Sequence, residues 1–257
     1  MTDSSSRTQT ADFRKRLAAG ERLIGSFIKT PTSHTAEIIG DVGYDFVIID
    51  EEHAAFDRVA TDQALLGARA AGTAGFVRVP DMSRILGALD DGAVGVMAPH
   101  IDDAEKAREL VAYARYKPGR RGFSNSPRAG RYGGKDFQTH ITEGDAQTTV
   151  VAMIEDALAV ATIDGIVGVE GLDAIFIGRS DLTLSLGASA PGDAVVQQAV
   201  DRICAAARKT GMKVWVPATS ASERDAYIRL GATVFVVATD QAFMRRAAAA
   251  SLKEMRG

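Results

Sequence analysis

Short apolar runs rich in β-branched residues recur along the chain: LIGSFI (23–28), DFVIID (45–50), GFVRV (75–79), VGVMAP (94–99), TVVAMIE (149–155), DAIFIG (173–178), KVWVP (213–217) and TVFVVA (233–238). Their brevity and composition suit strands buried on both faces. Between them lie segments of helical period at 34–43, 61–72, 104–116, 157–167, 194–211 and 222–231. Most of these end in glycine, which readily takes the left-handed conformation that closes a helix, and Ser220 with Glu223 has the spacing of a capping box. Repeated strand-then-helix order predicts a parallel sheet, and eight strands favour an α/β fold of the (β/α)8 TIM-barrel type over a doubly wound sheet.

A length of 257 residues fits a single barrel domain over 11–257, preceded by a polar, Ser/Thr-rich end at 1–10 that is expected to fray. One stretch, 117–148, breaks the rhythm. Its KPGRRGFSNSPRAGRYGG segment is rich in Gly, Arg and Ser and reads as a long loop around a short strand at Arg121–Phe123. The arginines Arg120, Arg121, Arg128 and Arg131 suit either a lid over an anionic substrate or a solvated or subunit-contacting loop.

Charge narrows the classes of partner. With 30 basic and 33 acidic residues, a net charge of −3 gives no electrostatic reason to expect nucleic acid or an anionic membrane. Small polar substrates fit better. The single cysteine, Cys204, cannot form an internal disulfide, and the first residues, MTDSSSRTQTADFRKR, contain no apolar signal-peptide core, so the cytoplasm is the expected compartment. No run approaches the roughly 18 apolar residues of a membrane-spanning helix, and the glycine fingerprints of nucleotide-binding loops are missing.

The chemistry-bearing residues cluster at the ends of predicted strands. Glu155 closes VVAMIE and Asp181 follows AIFIG; parallel barrel strands aim such ends into one cleft, where two carboxylates can hold a hard divalent cation. FVIID runs into Glu51, Glu52 and His53, which offers a base close by.

These segments carry a resemblance. GSFIKTPTSHTAEIIGDVGYDFVIIDEEHA, FVRVP, GVMAPHIDDAEKARELVAYARY, the RRG loop, VVAMIED and VEGLDAIFIGRSDLTLSLG, in this order across about residues 20–245, resemble the HpcH/HpaI family of class II 2-oxo-acid aldolases. The resemblance implies a metal-dependent barrel of the phosphoenolpyruvate/pyruvate-utilising superfamily that reversibly cleaves a 4-hydroxy-2-oxo acid to pyruvate and an aldehyde through a metal-held enolate. It implies Glu155 and Asp181 as ligands of Mg²⁺ or Mn²⁺, or of Co²⁺, His53 as the base and Asp90 as the carboxylate that orients it. It further implies Arg78 at the substrate carbonyl, with Phe27, Asp50, Gly178 and Ser180 lining the substrate site. His34, His100 and His140 lack that context, and Lys29 is an isolated candidate for Schiff-base chemistry.

The sequence departs from the family pattern in three places. Gly178-Arg179-Ser180-Asp181-Leu182 replaces G-P-A-D-L, Asp50-Glu51-Glu52-His53 replaces D-G-E-H, and KVWVPATS places Trp215 and Pro217 where small residues are usual. Arg179 and the arginine-rich loop suggest a substrate with a second carboxylate, and Trp215 with Pro217 a reshaped acceptor side or subunit interface. Two other functions share these residues: oxaloacetate decarboxylation or citrate-synthase-like condensation, and non-catalytic binding of a small acid. The resemblance also implies a homo-oligomer, hexameric or dimer-based. The segment 240–255 would then be swapped between subunits, although folding onto its own barrel satisfies the same apolar pattern.

Overall fold

The computed structural model describes residues 12–257. Its centre is a closed barrel of eight parallel strands in sequential order: β1 (Leu23–Ile28), β2 (Phe46–Asp50), β3 (Ala74–Arg78), β4 (Gly95–Ala98), β5 (Thr149–Ile154), β6 (Ala174–Ile177), β7 (Lys213–Pro217) and β8 (Val234–Thr239). β2 to β6 are buried at every position, which explains why they read as continuous apolar runs. Helices pack around the barrel and begin where a short side chain can cap them. Asp57, Asp103 and Asp136 each accept the N–H three residues on, at 2.8, 2.8 and 3.0 Å. At Ser220 the expected box is half formed. Its hydroxyl accepts the Glu223 N–H at 3.2 Å, but the Glu223 carboxylate reaches the Thr219 N–H at 2.9 Å instead of returning to Ser220.

The end at which the strands start is plugged with aromatic side chains. Phe13, from helix Phe13–Ala18, meets Phe46, Phe76 and Trp215 at ring separations of 5.5, 4.8 and 5.9 Å. Glycines make room for this layer: a Cβ at Gly25 would lie 2.3 Å from the Phe46 ring, and one at Gly95 2.4 Å from Phe76. Trp215 is fully buried here. The expectation that it reshapes the acceptor side or an interface is therefore corrected: its side chain alternates into the barrel interior, and truncating it to Ala is expected to cost about 3–5 kcal/mol.

Residues 117–148 also differ from expectation. No strand forms at Arg121–Phe123; instead a 3₁₀ turn, Arg128–Gly130, and a helix, Phe137–Gln147, fold the segment. The helix escapes a periodicity reading because FQTHITEGDAQ buries only His140 and Ile141. The segment joins a helix to the start of β5, so it lies at the end of the barrel opposite the strand ends. Helices Phe13–Ala18 and Ile85–Asp90 were likewise too short to read from spacing.

The last helix, Asp240–Arg256, is tethered only at its beginning. The Asp240 carboxylate accepts the N–H groups of Lys29 and Thr30 at 2.8 and 3.0 Å, and Phe243 meets Tyr44 with rings 6.2 Å apart. From Met244 onward every residue is exposed, Met255 to 84%. The helix does not fold back over its own barrel. Among the described residues, no helix is long and apolar enough to cross a membrane.

Candidate active site

The strand ends gather the charged residues that the hydrophobic pattern set apart. Asp50, the last residue of β2, pairs in register with Arg78, the last residue of β3. Both Asp50 oxygens bind that guanidinium, with Arg78 Nε to Oδ1 at 2.9 Å and Nη2 to Oδ2 at 2.7 Å. Lys29, just beyond β1, makes a salt bridge to the same carboxylate, which is entirely buried. Burial alone would raise the Asp50 carboxyl, but the hydrogen bonds and charge of Arg78, helped by Lys29, outweigh it and hold the group below its ordinary range. Lys29 is thus committed to an ion pair, which leaves it poorly suited to Schiff-base chemistry.

Arg78 is held from a second side by Glu52, 3.1 Å from its Nη1, and its guanidinium lies 4.8 Å from the Phe27 ring centre. Phe27 in turn stands edge-on to Phe176 at 6.1 Å. His53 projects from the same turn, its side chain 55% exposed and its Nε2 3.6 Å from the Glu52 carboxylate. Glu51, which stands where the family pattern has glycine, turns inward, takes Arg84 at 3.0 Å and accepts the Thr61 hydroxyl at 2.6 Å. Its departure from the pattern serves local structure.

Glu155 and Asp181 form a second, separate group. Glu155 follows β5 and is buried, and its Oε1 accepts the His100 N–H at 2.9 Å. Gly178, after β6, lies against its other oxygen: a Cβ there would come within 2.5 Å of Glu155 Oε2. Asp181 and the exposed Ser180 sit in the first turn of helix Arg179–Ser185. Burial, above all, pushes the Glu155 carboxyl up to about 7; the His100 N–H and imidazole oppose the shift, while the charges of Asp181 and Glu52 add to it. Arg78 and Lys29 are committed to Asp50, and the basic side chain beside Glu155 is His100, whose Nδ1 lies 3.6 Å from Oε1. Among the described residues no group of three or more His, Cys, Asp or Glu could hold a metal.

Within the chain, three expected groups face other partners. Asp90 ends helix Ile85–Asp90, which returns the chain towards the start of β4, and its carboxylate faces Arg121 at 3.4 Å. Within the chain it does not orient His53; the carboxylate beside His53 is Glu52. Arg179 is engaged by Glu223 and the Tyr227 hydroxyl, both at 2.8 Å, and so pins its helix to helix Ala221–Leu230 instead of facing a second substrate carboxylate. The loop arginines form no lid over these strand ends: Arg120 pairs with Glu109 at 3.2 Å, Arg121 with Asp90, and Arg128 with Asp62 at 2.7 Å.

The structure also adds His100. Set aside in the sequence for want of context, it follows β4 with a left-handed backbone (φ 53°) that aims its N–H at Glu155. Its imidazole Nδ1 lies 3.1 Å from Asp156, a contact that is the main reason its pKa is raised. The signal available was its place just after an apolar run.

The model of the HpcH/HpaI aldolase/citrate lyase family matches residues 23–247. The chain belongs to that family. Hydroxypyruvate/pyruvate aldolase of Roseobacter denitrificans is 35% identical over 68% of this chain and 69% of its own length. The 5-keto-4-deoxy-D-glucarate aldolase of Salmonella paratyphi C is 32% identical over 89% of this chain and 90% of its own. Among solved structures, the citrate synthase SbnG superposes with a TM-score of 0.86 at 30% identity, covering 95% of this chain and 96% of that one. Family membership and aldolase relatives over most of the chain make this protein an enzyme, a lyase built on a TIM barrel.

Proposed function

We propose that this lyase reversibly cleaves a 4-hydroxy-2-oxo acid, of the 2-keto-3-deoxy sugar acid or 4-hydroxy-2-oxo-dicarboxylate type, into pyruvate and an aldehyde. The observation that carries the reading is the division of charge at the strand ends: Asp50 bound by Arg78 and Lys29 on one side, and on the other the buried Glu155 with Asp181 in the first turn of helix Arg179–Ser185. The Glu155–Asp181 pair fits a hard divalent cation, Mg²⁺ or Mn²⁺, because both groups offer oxygen, Gly178 leaves space at Oε2, and water and substrate can supply the other ligands. Such a cation, when bound, supplies Lewis-acid polarisation of the 2-oxo group.

The remaining work falls to side chains of the chain. His53, exposed at the rim, takes the 4-hydroxyl proton on its imidazole, and the C3–C4 electron pair moves towards C2 as the aldehyde leaves. Arg78, fixed by Asp50 and Glu52, meets the negative charge that grows on the C2 oxygen. His53 then returns that proton to C3, which gives pyruvate and restores the neutral imidazole. Phe27 and Gly178 bound the space beside these groups, and Ser180 offers its N–H near the substrate carboxylate. Cleavage of 5-keto-4-deoxy-D-glucarate, followed as pyruvate release with and without a chelator, tests the reading; no release from this or any other 4-hydroxy-2-oxo acid would sink it.

A second reading has one observation in its favour, the likeness to a citrate synthase. Oxaloacetate turnover that proceeds without any aldehyde, with no aldol cleavage, would favour it. The exposed face of helix Asp240–Arg256, with Met244, Leu252 and Met255, supports a homo-oligomer in which this helix packs on a neighbouring copy. A cytoplasmic setting accords with the one, buried, free cysteine.

A further inference from the structure

At the barrel end away from Glu155 and Asp181 lies a cavity of about 430 Å³. Its wall contains Arg69, Arg121, Arg128, Arg131, Lys135 and His140, and neither Asp nor Glu. The cations are graded by depth, with Arg121 buried, Arg128 and Lys135 half-buried, and Arg69 and Arg131 exposed. Three have carboxylate partners: Arg121 with Asp90 at 3.4 Å, Arg128 with Asp62 at 2.7 Å and Lys135 with Glu143 at 3.0 Å. Arg69 and Arg131 have none among the described residues, so the cavity carries a surplus of positive charge.

Two features set this apart from a solvated ion-pair network. The Arg121 side chain is 2% exposed and stacks 4.4 Å from the Tyr116 ring centre, yet its buried Nε–H has no acceptor. A buried guanidinium normally satisfies its donors, and the unmet one belongs to a residue of this wall. Arg131 and Tyr132 also hold left-handed backbone conformations, φ 52° and 55°, which non-glycine residues rarely adopt. The turn is fixed by Tyr132 N–H to Pro127 O at 3.1 Å and Gly133 N–H to Asn125 O at 2.7 Å, and it places Arg131 on the cavity wall. His140 reports the same field: burial first, then Lys135 and Arg121, hold its imidazole below the ordinary range.

We propose that this cavity is a binding site for a small dianion, a phosphate or a dicarboxylate, separate from the reaction centre. Arginine forks and a lysine in a partly enclosed space match either oxyanion, and bound anion would tie the 121–148 segment to Arg69.

The test is calorimetric titration of the full chain, with Mg²⁺ present and chloride as the only other anion, using inorganic phosphate and, separately, malonate. At least one should saturate at one per chain, and the tighter of the two identifies the class of anion. Arg69→Ala and Arg131→Ala, both exposed and expected to be tolerated, should together weaken it tenfold or more, while Glu155→Gln leaves it unchanged. Saturation by neither anion overturns the proposal. So does binding that survives the two arginine substitutions, or binding that Glu155→Gln removes. The catalytic reading stands or falls separately.

Discussion

Asp50 and Arg78 are ladder partners on the last rung of β2 and β3, and they meet through two hydrogen bonds of 2.9 and 2.7 Å. The register of two buried strands thus fixes the guanidinium beside the cleft. Asp50→Asn would leave Arg78 and Lys29 without their shared counter-charge. Breaking a buried pair from one side is expected to cost about 3–5 kcal/mol, read by urea unfolding, together with loss of turnover. Unchanged stability would show that the pair is solvated and dispensable.

Gly178 is the contact that keeps Glu155 Oε2 accessible, since a Cβ there would approach to 2.5 Å. Gly178→Ala is expected to keep the barrel intact and weaken binding of a divalent cation by tenfold or more in calorimetry. Equal affinity in the variant would mean that Glu155 does not use this oxygen.

Glu155 sets a pH dependence whose sign can be worked out. Its folded pKa of about 7 lies above the ordinary 4.5, so between these values the cation-free folded chain holds a proton that the unfolded chain has released. Stability of that form therefore falls as pH rises through this window and levels off above it. Glu155→Gln should flatten the profile of melting temperature against pH. Cation binding has the opposite trend: affinity rises about tenfold per pH unit up to about 7, then levels off, because the proton must leave first.

Helix Asp240–Arg256 exposes Leu252 to 50% and Met255 to 84%. If this face packs on a second copy, Leu252→Asp with Met255→Asp should lower the assembly mass measured by light scattering and leave the monomer's circular dichroism unchanged. The same mass for both forms would remove the helix from the interface.

Much of this fold is visible in the sequence because strands buried on both faces leave little room for polar residues. Asp50, Arg78 and Glu155 stand out for that reason, as charges at the ends of apolar runs. Residues whose roles depend on direction were harder to read. His100 acts through a left-handed backbone N–H, Arg179 through partners 44 and 48 positions away, and Trp215 through its alternation into the barrel. Asp90 lies at the end of a helix of six residues, too short for periodicity to show which way it faces.

Deuterium incorporation at C3 of pyruvate in D₂O, followed by NMR with Mg²⁺ and then with chelator, tests the catalytic account most directly because it requires no choice of aldehyde. The account predicts exchange that stops with chelator and in Glu155→Gln, and that falls by roughly 10²–10⁴ in His53→Ala while cation affinity is retained. Exchange that is absent with any divalent cation, or that proceeds at the same rate in His53→Ala, would contradict it.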